Sequence, residues 1–256
     1  MKTTISGSLL RNAGSVCLLL FALSQGRAQS QAPADTRSLV RITQVKPDMV
    51  TEWLAIQKNE VNPALKKGGV ASRTLLETVL GNQYEYVSIT PMGSYSEMDA
   101  DTPLIKGLGK DGGAKLLTKI RKCIDGQTMF VSTRLAEFSS VPKNSAAIWT
   151  TVRYRAAPGK NQDYENYLKT DLLPVYAKAT AAGKIAGYSV SRRGPGATTR
   201  DRTLVIYSDK IASMEAGTVT VQMLGQEGSA KLIAKSGSLA SLVEVLVRRR
   251  LSDVSY

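Results

Sequence analysis

Short segments in which apolar and polar residues alternate are separated along this chain by segments in which apolar residues recur every three or four positions. The first spacing is typical of a strand with one buried face, and the second is typical of an amphipathic helix. Residues Ser38–Val45 form the first extended segment. The helical spacing begins after Lys46-Pro47-Asp48, where a Pro and a capping Asp favour a helix start, and comprises Val50, Trp53, Leu54, Val61 and Leu65.

The segments that follow complete one structural unit. Residues Val70–Val79 and Tyr84–Thr90 are predicted to be two strands around Gly81-Asn82, a pair that favours a hairpin turn. A Gly-rich stretch predicts a loop before a helix from about Ala114 to Cys123, and Thr128–Phe138 is predicted to be the last strand. The predicted order of elements is β-α-β-β-α-β.

This unit is duplicated in the chain. Residues Leu108–Leu117 return as Leu224–Ile233 with six of the ten positions identical, and a repeat of this length is too long for a solenoid unit. The second half predicts strands at Ala147–Tyr154, Ile185–Ser191, Thr203–Tyr207 and Leu242–Leu251, and helices at about Gln162–Ala179 and Ser229–Lys235. The matching landmarks include Trp53 with Tyr164, Pro63 with Pro174, and Arg134 with Arg250. The two prolines are expected to kink or divide the first helix of each half at the same depth.

The element order predicts an α+β protein made of two ferredoxin-like units. A β-α-β-β-α-β unit builds a four-stranded antiparallel sheet with both helices on one face. The other face of the sheet is then apolar, and packing against the sheet of the second unit, or of a second copy, buries it. We assign residues 38–139 to the first unit, residues 140–146 to a linker and residues 147–256 to the second unit.

With these features the chain resembles the dimeric α/β-barrel superfamily, which contains the antibiotic-biosynthesis-type monooxygenases and the NIPSNAP-like proteins. The resemblance covers about Ser38 to Ser255. It rests on the element order, on the loop-helix repeat, and on the helix entries Lys46-Pro47-Asp48 and Ala157-Pro158-Gly159. It implies a barrel-type arrangement of the two sheets, a ligand cavity between sheet and helices, and a possible homodimer. Members include haem enzymes, cofactor-free oxygenases and isomerases, so the fold does not fix the function.

The first 28 residues have the pattern of a secretory signal peptide. Lys2 and Arg11 precede an apolar run from Val16 to Leu23, and small residues suit cleavage after Ala28. The run is too short to span a bilayer, and no other stretch of the sequence approaches that length. We therefore expect an exported protein, periplasmic or extracellular, with a flexible lead-in at residues 29–37.

Composition excludes several classes of mechanism. The chain has no histidine, so His-dependent hydrolases, histidine-ligated haem and His-based metal sites are excluded, and we expect neither a metal nor another cofactor. Loss of the leader, with three basic residues and no acidic one, lowers the formal charge from +13 to +10. The basic residues are scattered and no aromatic-basic module is present, so nucleic acid is not an expected partner. Anionic lipid headgroups or envelope polymers suit this charge better.

Two glycine-rich segments carry motif-like patterns. Residues Gly107–Gly112 match G-x-G-x-x-G, but a dinucleotide-binding loop must follow a parallel strand, so we interpret these glycines as turn residues before a helix. Arg192–Gly196 and Arg200–Arg202 form a basic loop found only in the second half. An anion-binding loop is one interpretation, and a solvated hairpin loop is the favoured one.

Five residues are candidates for ligand contact. Arg134 and Arg250 occupy equivalent positions on the last strands, where each guanidinium could orient an anion or form an internal pair with a carboxylate, the pair being favoured. Alternation places Arg248 on the same face as Arg250 and Arg249 on the other. The other candidates are aromatic: Trp53, Tyr86 and Tyr164 could line a pocket with hydrogen-bonding groups, although ordinary core packing is the favoured interpretation.

These observations favour an exported protein that binds a small apolar or anionic organic molecule in a cavity between sheet and helices. Recognisable acid-base machinery is missing, so whether the protein is an enzyme stays open, with binding favoured over catalysis. The first alternative is a cofactor-free monooxygenase or isomerase that uses tyrosines and carboxylates. The second is a structural oligomer of the cell envelope.

Overall fold

The computed structural model describes residues 34–256, and each half of this range has the element order β-α-β-β-α-β. The predicted signal peptide lies outside the described residues. The strands are β1 Thr36–Val45, β2 Thr74–Leu80, β3 Glu85–Met92, β4 Ile124–Ser140, β5 Ile148–Ala156, β6 Gly187–Arg193, β7 Asp201–Ser208 and β8 Ala240–Arg250. The helices are α1 Val50–Ile56, α2 Asn62–Lys67, α3 Pro103–Lys122, α4 Asn161–Tyr167, α5 Leu173–Ala181 and α6 Val219–Gly237. No helix within residues 34–256 is long and apolar enough to cross a membrane.

The eight strands form one closed antiparallel barrel. The strand order is β1-β3-β2-β8-β5-β7-β6-β4, and β4 pairs with β1 to complete the circle. The two halves join at two seams, one where β2 pairs with β8 and one where β4 pairs with β6. The predicted α+β class and barrel-type arrangement are therefore confirmed. Closure takes place within one chain, and the homodimer stays a prediction.

The barrel has an apolar interior cluster and an apolar layer under each pair of helices. Val40, Leu76, Val87 and Phe130 are buried together in the interior. Neighbouring residues on the same strands point the opposite way, so that Leu75 and Tyr86 pack against the helices of the first half. The sheet thus buries side chains on both of its faces.

The first helix of each half is divided at the same depth. A π-helical turn, Gln57–Val61, joins α1 to α2 directly before Asn62-Pro63. In the second half the turn Leu168–Leu172 joins α4 to α5 directly before Leu173-Pro174. The predicted division at the two prolines is confirmed, because a proline removes a backbone donor and crowds the preceding turn.

The Gly-rich stretch before the second helix is itself helical, so the loop predicted there is wrong. Helix α3 begins at Pro103, where the Thr102 side chain accepts a hydrogen bond from the amide of Ile105, and it runs through a break at Gly109. Gly109 has φ 75° and ψ 170°, and Gly225 breaks α6 with φ 71° and ψ 177°. Essentially only glycine adopts these backbone angles, so both copies of the repeat contain a glycine that breaks the helix. The glycine-rich composition around this break is what made the segment look like a loop in the sequence.

The loop between β6 and β7 is anchored to the barrel on one side, whereas Pro195, Gly196, Thr198 and Thr199 are exposed, so the expected solvated loop is confirmed only in part. The amide of Gly194 donates to the carbonyl of Val131 at 2.7 Å, and the amide of Val131 donates to the carbonyl of Pro195 at 3.0 Å. The guanidinium of Arg193 lies 4.6 Å from the ring centroid of Phe130. Contacts with the interior cluster therefore hold this basic segment in place.

The close approach of α2 and α3 gives a first test of this packing. A Cβ atom on Gly107 would overlap with the carbonyl oxygen of Ala64, so we expect Gly107→Ala to destabilise the protein by about 1–3 kcal/mol despite the better helix propensity of alanine. The measurement is the free energy of unfolding in urea. Gly126→Ala is the control, because a Cβ there has open space and the change should be close to neutral. Equal stability of the two variants would contradict the packing described for α2 and α3.

Candidate ligand cavity

A cavity of about 180 Å³ lies in the first half, between the outer face of the sheet and the helices. The sheet contributes Leu39, Arg41, Thr43, Leu75, Tyr86 and Ser88, and the helices contribute Trp53, Gln57, Val61, Leu65, Leu104 and Leu117. The volume is smaller than that of sites for drug-sized ligands, and an apolar cavity of about 150 Å³ already admits benzene. The space therefore suits a molecule with a single ring.

Arg73 places a positive charge at the wall of this cavity without an Asp or Glu partner. The residue is 4% exposed. Its guanidinium donates to Oδ1 of Asn62 at 2.8 Å and to Oε1 of Gln57 at 2.7 Å, and both acceptors are neutral amides. Burial lowers the pKa of Arg73 to about 10, and the nearby charge of Arg41 adds to this effect. Buried arginines are rarely left without a carboxylate, so Arg73 is exceptional within this fold.

Arg41, on β1, adds a second guanidinium to the same cavity. One terminal nitrogen lies 3.6 Å from the Met129 sulfur, a weak acceptor without charge, and Nε is buried without a hydrogen-bond partner. Burial lowers the pKa of Arg41. Within residues 34–256 no Asp or Glu oxygen lies within 4.0 Å of a guanidinium nitrogen of Arg41 or Arg73. The cavity therefore carries two positive charges that no Asp or Glu side chain of this range pairs with directly.

An aromatic pair, Trp53 and Tyr86, forms an apolar part of the cavity wall. The ring centroids of Trp53 and Tyr86 are 4.7 Å apart with the ring planes tilted by 43°. Burial raises the pKa of Tyr86, so its hydroxyl is uncharged at neutral pH. Gln127 donates to Oγ1 of Thr43 at 2.9 Å and completes the polar side of the lining. An aromatic surface and two guanidiniums thus line the same cavity.

The strand registers identify the matching positions in the second half. Arg41 lies opposite Ser88, and Val152 lies opposite Leu204 at the equivalent point of the β5–β7 ladder. Leu75 pairs with Ser88, and Val190 pairs with Leu204, so Leu75 corresponds to Val190. Two residues earlier on each strand, Arg73 therefore corresponds to Tyr188. The two π-helical turns match Gln57 with Leu168 and Asn62 with Leu173.

The second half carries apolar or aromatic residues where the first half has polar lining residues. Its equivalents of the polar lining residues are packed in one apolar cluster: Val152, Leu168, Leu173, Tyr188 and Leu204, together with Tyr154 and Tyr164. The duplication therefore holds one unit with a charged cavity and one unit in which the matching positions of Arg41, Gln57, Asn62, Arg73 and Ser88 carry apolar or aromatic side chains, beside the buried Arg202–Glu165 ion pair.

The structure brings together only two of the five candidate residues. Trp53 and Tyr86 line the cavity, whereas Tyr164 is 1% exposed within the apolar cluster of the second half. Strand alternation places Arg134 and Arg250 on the interior side of the barrel, away from this cavity, with Arg134 opposite Ser191 and Arg250 opposite Leu76.

The internal carboxylate pair expected at Arg250 forms at Arg248 instead. Arg248 donates to Glu85 at 2.7 Å and to Thr151 at 2.9 Å inside the barrel. Within the described range neither Arg134 nor Arg250 has a carboxylate within 4.0 Å, so the favoured interpretation of those two residues is wrong. The predicted alternation along β8 is confirmed, since Arg249 points outward to Glu77 at 3.0 Å.

Sequence reasoning missed Arg41, Arg73, Gln57 and Asn62. The signal was available in the duplication, because each of these polar residues has an apolar residue at the matching position of the second half. Reading that signal requires the register of the strands, which the sequence alone did not provide.

Solved structures share this architecture, whereas no protein-family model and no curated protein matches the chain. An anthrone oxidase-like protein has a TM-score of 0.61 at 9% identity over 86% of this chain and 93% of that chain. A protein from Lactobacillus acidophilus, provisionally described as a monooxygenase, has a TM-score of 0.57 at 8% identity, covering 87% and 96%. A similarly described protein from Fusobacterium nucleatum has 0.54 at 9% identity, covering 86% and 94%. These likenesses show that the chain has the fold of the dimeric α/β-barrel proteins.

Proposed function

We propose that the protein binds a small organic carboxylate with one ring in the cavity of its first half. The observation that carries the proposal is the pair of guanidiniums, Arg41 and Arg73, that line one cavity and have no Asp or Glu side chain as a partner. An unpaired buried charge is unfavourable, and a bound anion removes this penalty while it accepts charge-assisted hydrogen bonds.

The shape of the cavity supports an organic anion over an inorganic one. A free inorganic ion would meet the two guanidiniums but would leave the apolar surface of Trp53, Tyr86 and the surrounding leucines without contacts. A ring next to the Trp53–Tyr86 pair buries that surface, and aromatic contacts of this kind add about 0.5–1.5 kcal/mol beyond the buried area. One molecule with a ring and a carboxylate satisfies both parts of the lining.

Binding fits the lining better than catalysis by tyrosines and carboxylates. The residues around the cavity include no Asp and no Glu, so the described lining offers no carboxylate base. Within residues 34–256 there is also no group of three or more Cys, Asp or Glu side chains that could hold a metal ion. The leader-like pattern of residues 1–28 supports export, and we propose that the protein acts as a binding protein outside the cytoplasm.

The proposal predicts saturable binding of benzoate. We expect benzoate to bind at least about tenfold more tightly than benzamide, because a hydrogen bond to a charged partner contributes about 1.5–3 kcal/mol. Isothermal titration calorimetry gives the affinity and a stoichiometry of one per chain. Trp149→Phe leaves Trp53 as the only tryptophan in the chain, so that quenching of its fluorescence places the ligand in the first half.

A ligand panel separates the two parts of the site. Acetate tests the guanidiniums without a ring, toluene tests the apolar surface without a charge, and cyclohexanecarboxylate and phenylacetate test tolerance of ring shape. A folded protein that binds none of the three ring carboxylates would exclude the proposal. Equal affinities for benzoate and benzamide would show that the two arginines do not select an anion.

A further inference from the structure

The last described residues cross from the second half to the first. Residues Leu251–Tyr256, which we call the strap, follow β8 but pack on the first half. Val254 is buried in the apolar cluster under the first-half helices. The hydroxyl of Ser255 accepts a hydrogen bond from the amide of Leu75 at 2.9 Å. The strap therefore follows the second unit in the sequence but packs against the first unit.

The strap is hydrogen-bonded to Arg73, the residue that carries the buried charge. The amide of Arg73 donates to the main-chain oxygen of Tyr256 at 2.7 Å, and the amide of Tyr256 donates to the carbonyl of Arg73 at 2.8 Å. These two bonds fix the main chain of Arg73 directly. They leave the position of its guanidinium to the side chains around it.

Asn62 connects the guanidinium to the strap. It is 7% exposed, its Oδ1 accepts from Arg73 at 2.8 Å, and its Nδ2 donates to the carbonyl of Val254 at 2.8 Å. An aspartate in this place would neutralise Arg73 and could not donate to Val254. The neutral amide holds the guanidinium and the strap together and preserves the positive charge.

The second half contains the same crossing without this polar connection. The hydroxyl of Ser139 accepts a hydrogen bond from the amide of Val190 at 3.1 Å, which matches the bond between Ser255 and Leu75. The next residue, Ser140, pairs with Tyr188, which matches the pairing of Tyr256 with Arg73. The residue that matches Asn62 there is Leu173, which packs in the apolar cluster. The crossing is therefore a feature of the fold, and its link to a charged side chain occurs only beside the cavity.

We infer that Asn62 is a positioning residue for the anion-binding guanidinium and that the strap is coupled through it to the bound ligand. The inference rests on the proposed function, because it takes Arg73 as the group that contacts the carboxylate. The hydrogen bond from Asn62 to the carbonyl of Val254 fixes the Asn62 side chain when the strap is ordered. Asn62 in turn fixes the guanidinium of Arg73 in the orientation that contacts the ligand. By linkage, a ligand on Arg73 stabilises the strap to the same extent that the strap strengthens ligand binding.

Hydrogen exchange of the unmodified protein is the first test. Saturating benzoate is expected to slow exchange of the amides of Arg73 and Tyr256, which form the two bonds between the strap and the residue before β2. General stabilisation by the ligand acts on every amide, so the amides of Val190 and Tyr188, at the equivalent crossing of the second half, should slow less than those of Arg73 and Tyr256. Benzoate binding without greater slowing at Arg73 and Tyr256 than at Val190 and Tyr188 would overturn the inference and leave the proposed function standing.

A matched pair of variants is the second test. Ser255→Ala removes a hydroxyl that bonds Leu75 and Leu251, and Ser139→Ala removes a hydroxyl that makes the equivalent bonds to Val190 and Leu135. We expect Ser255→Ala to weaken benzoate binding by up to about fivefold, the effect of one hydrogen bond, and Ser139→Ala to leave it unchanged. Equal affinities of both variants and the unmodified protein would overturn the inference. If the unmodified protein does not bind benzoate, the proposed function fails and the inference fails with it.

Discussion

The double variant Arg41→Val/Arg73→Tyr is expected to lose benzoate binding by about a hundredfold or more. These are the residues that the second half carries at the matching positions, Val152 and Tyr188, where both pack in its apolar cluster. The change removes both charged donors, each of which contributes about 1.5–3 kcal/mol to an anion. Titration calorimetry with benzoate measures the loss.

An arginine elsewhere on the same strand serves as the control. Arg37 is exposed on β1 and lies over the ring of Tyr95 at 5.7 Å, outside the cavity. Arg37→Val lowers the net charge of the protein without touching the cavity lining, so benzoate should bind to it as to the unmodified chain. Loss of binding in that variant would mean that the general positive charge of the protein attracts benzoate.

The single variant Ser88→Leu separates the volume of the cavity from its charge. Leu204 occupies this position in the second half, and a leucine in place of Ser88 would fill part of the space beside Arg41. Benzoate should then bind more weakly, while acetate, which needs no room for a ring, should keep its affinity. This pattern is specific to a ring lying in the cavity.

The largest loss of stability is expected from Glu165→Gln. Glu165 is 4% exposed and accepts hydrogen bonds from Arg192 at 2.6 and 2.7 Å and from Arg202 at 2.7 Å. Without its charge the buried guanidinium of Arg202 is left uncompensated, and breaking a buried pair in this way typically destabilises a protein by about 3–5 kcal/mol. Equilibrium unfolding in urea measures the change.

An exposed ion pair gives the matched control. Glu137 accepts from Lys169 at 2.8 Å, and its side chain is 60% exposed. Glu137→Gln should change the free energy of unfolding by about 1 kcal/mol at most, as is usual for surface pairs. Equal effects of the Glu165 and Glu137 variants would contradict the buried position of the Glu165 pair.

The carboxylates that are paired with arginines also predict how the free energy of unfolding depends on pH. Burial alone would raise the pKa of Glu165, but the hydrogen bonds and charges of Arg192 and Arg202 outweigh it and hold that pKa below its ordinary value. Arginine partners likewise lower the pKa of Asp201 and Glu244. A pKa lower in the folded than in the unfolded state gives stability that is complete above about pH 4–5 and is lost as pH falls through the folded pKa. Unfolding of Glu165→Gln should therefore depend less steeply on pH in the acid range.

The architecture could be predicted from the sequence because its signals are local or repeated. The alternation in Ser38–Val45, the helical spacing from Val50 and the recurrence of Leu108–Leu117 each report on a short stretch of chain. The start of α3 was missed because Gly109 and its neighbours have a loop-like composition. The helix tolerates them through a break that only glycine adopts easily.

The site was harder to predict because it depends on register between distant strands. Whether Arg41 faces the helices or the barrel interior is decided by its pairing with Ser88 and Met129, and a shift of one residue would reverse it. Arg73 lies just before β2, and its partners Gln57 and Asn62 come from the first helix. Trp53 and Tyr86 could be proposed earlier because aromatic residues at core spacing are conspicuous in the sequence.

Anomalous diffraction from a crystal containing 4-bromobenzoate tests the central claim most directly, namely that the ligand binds in the charged cavity of the first half and not at the matching place in the second half. The bromine should give one anomalous peak per chain, between the first-half sheet and its helices, with the carboxylate of the ligand towards Arg41 and Arg73. A peak at the equivalent place in the second half, beside Tyr164 and Tyr188, or bromobenzoate bound only on the protein surface, would contradict it.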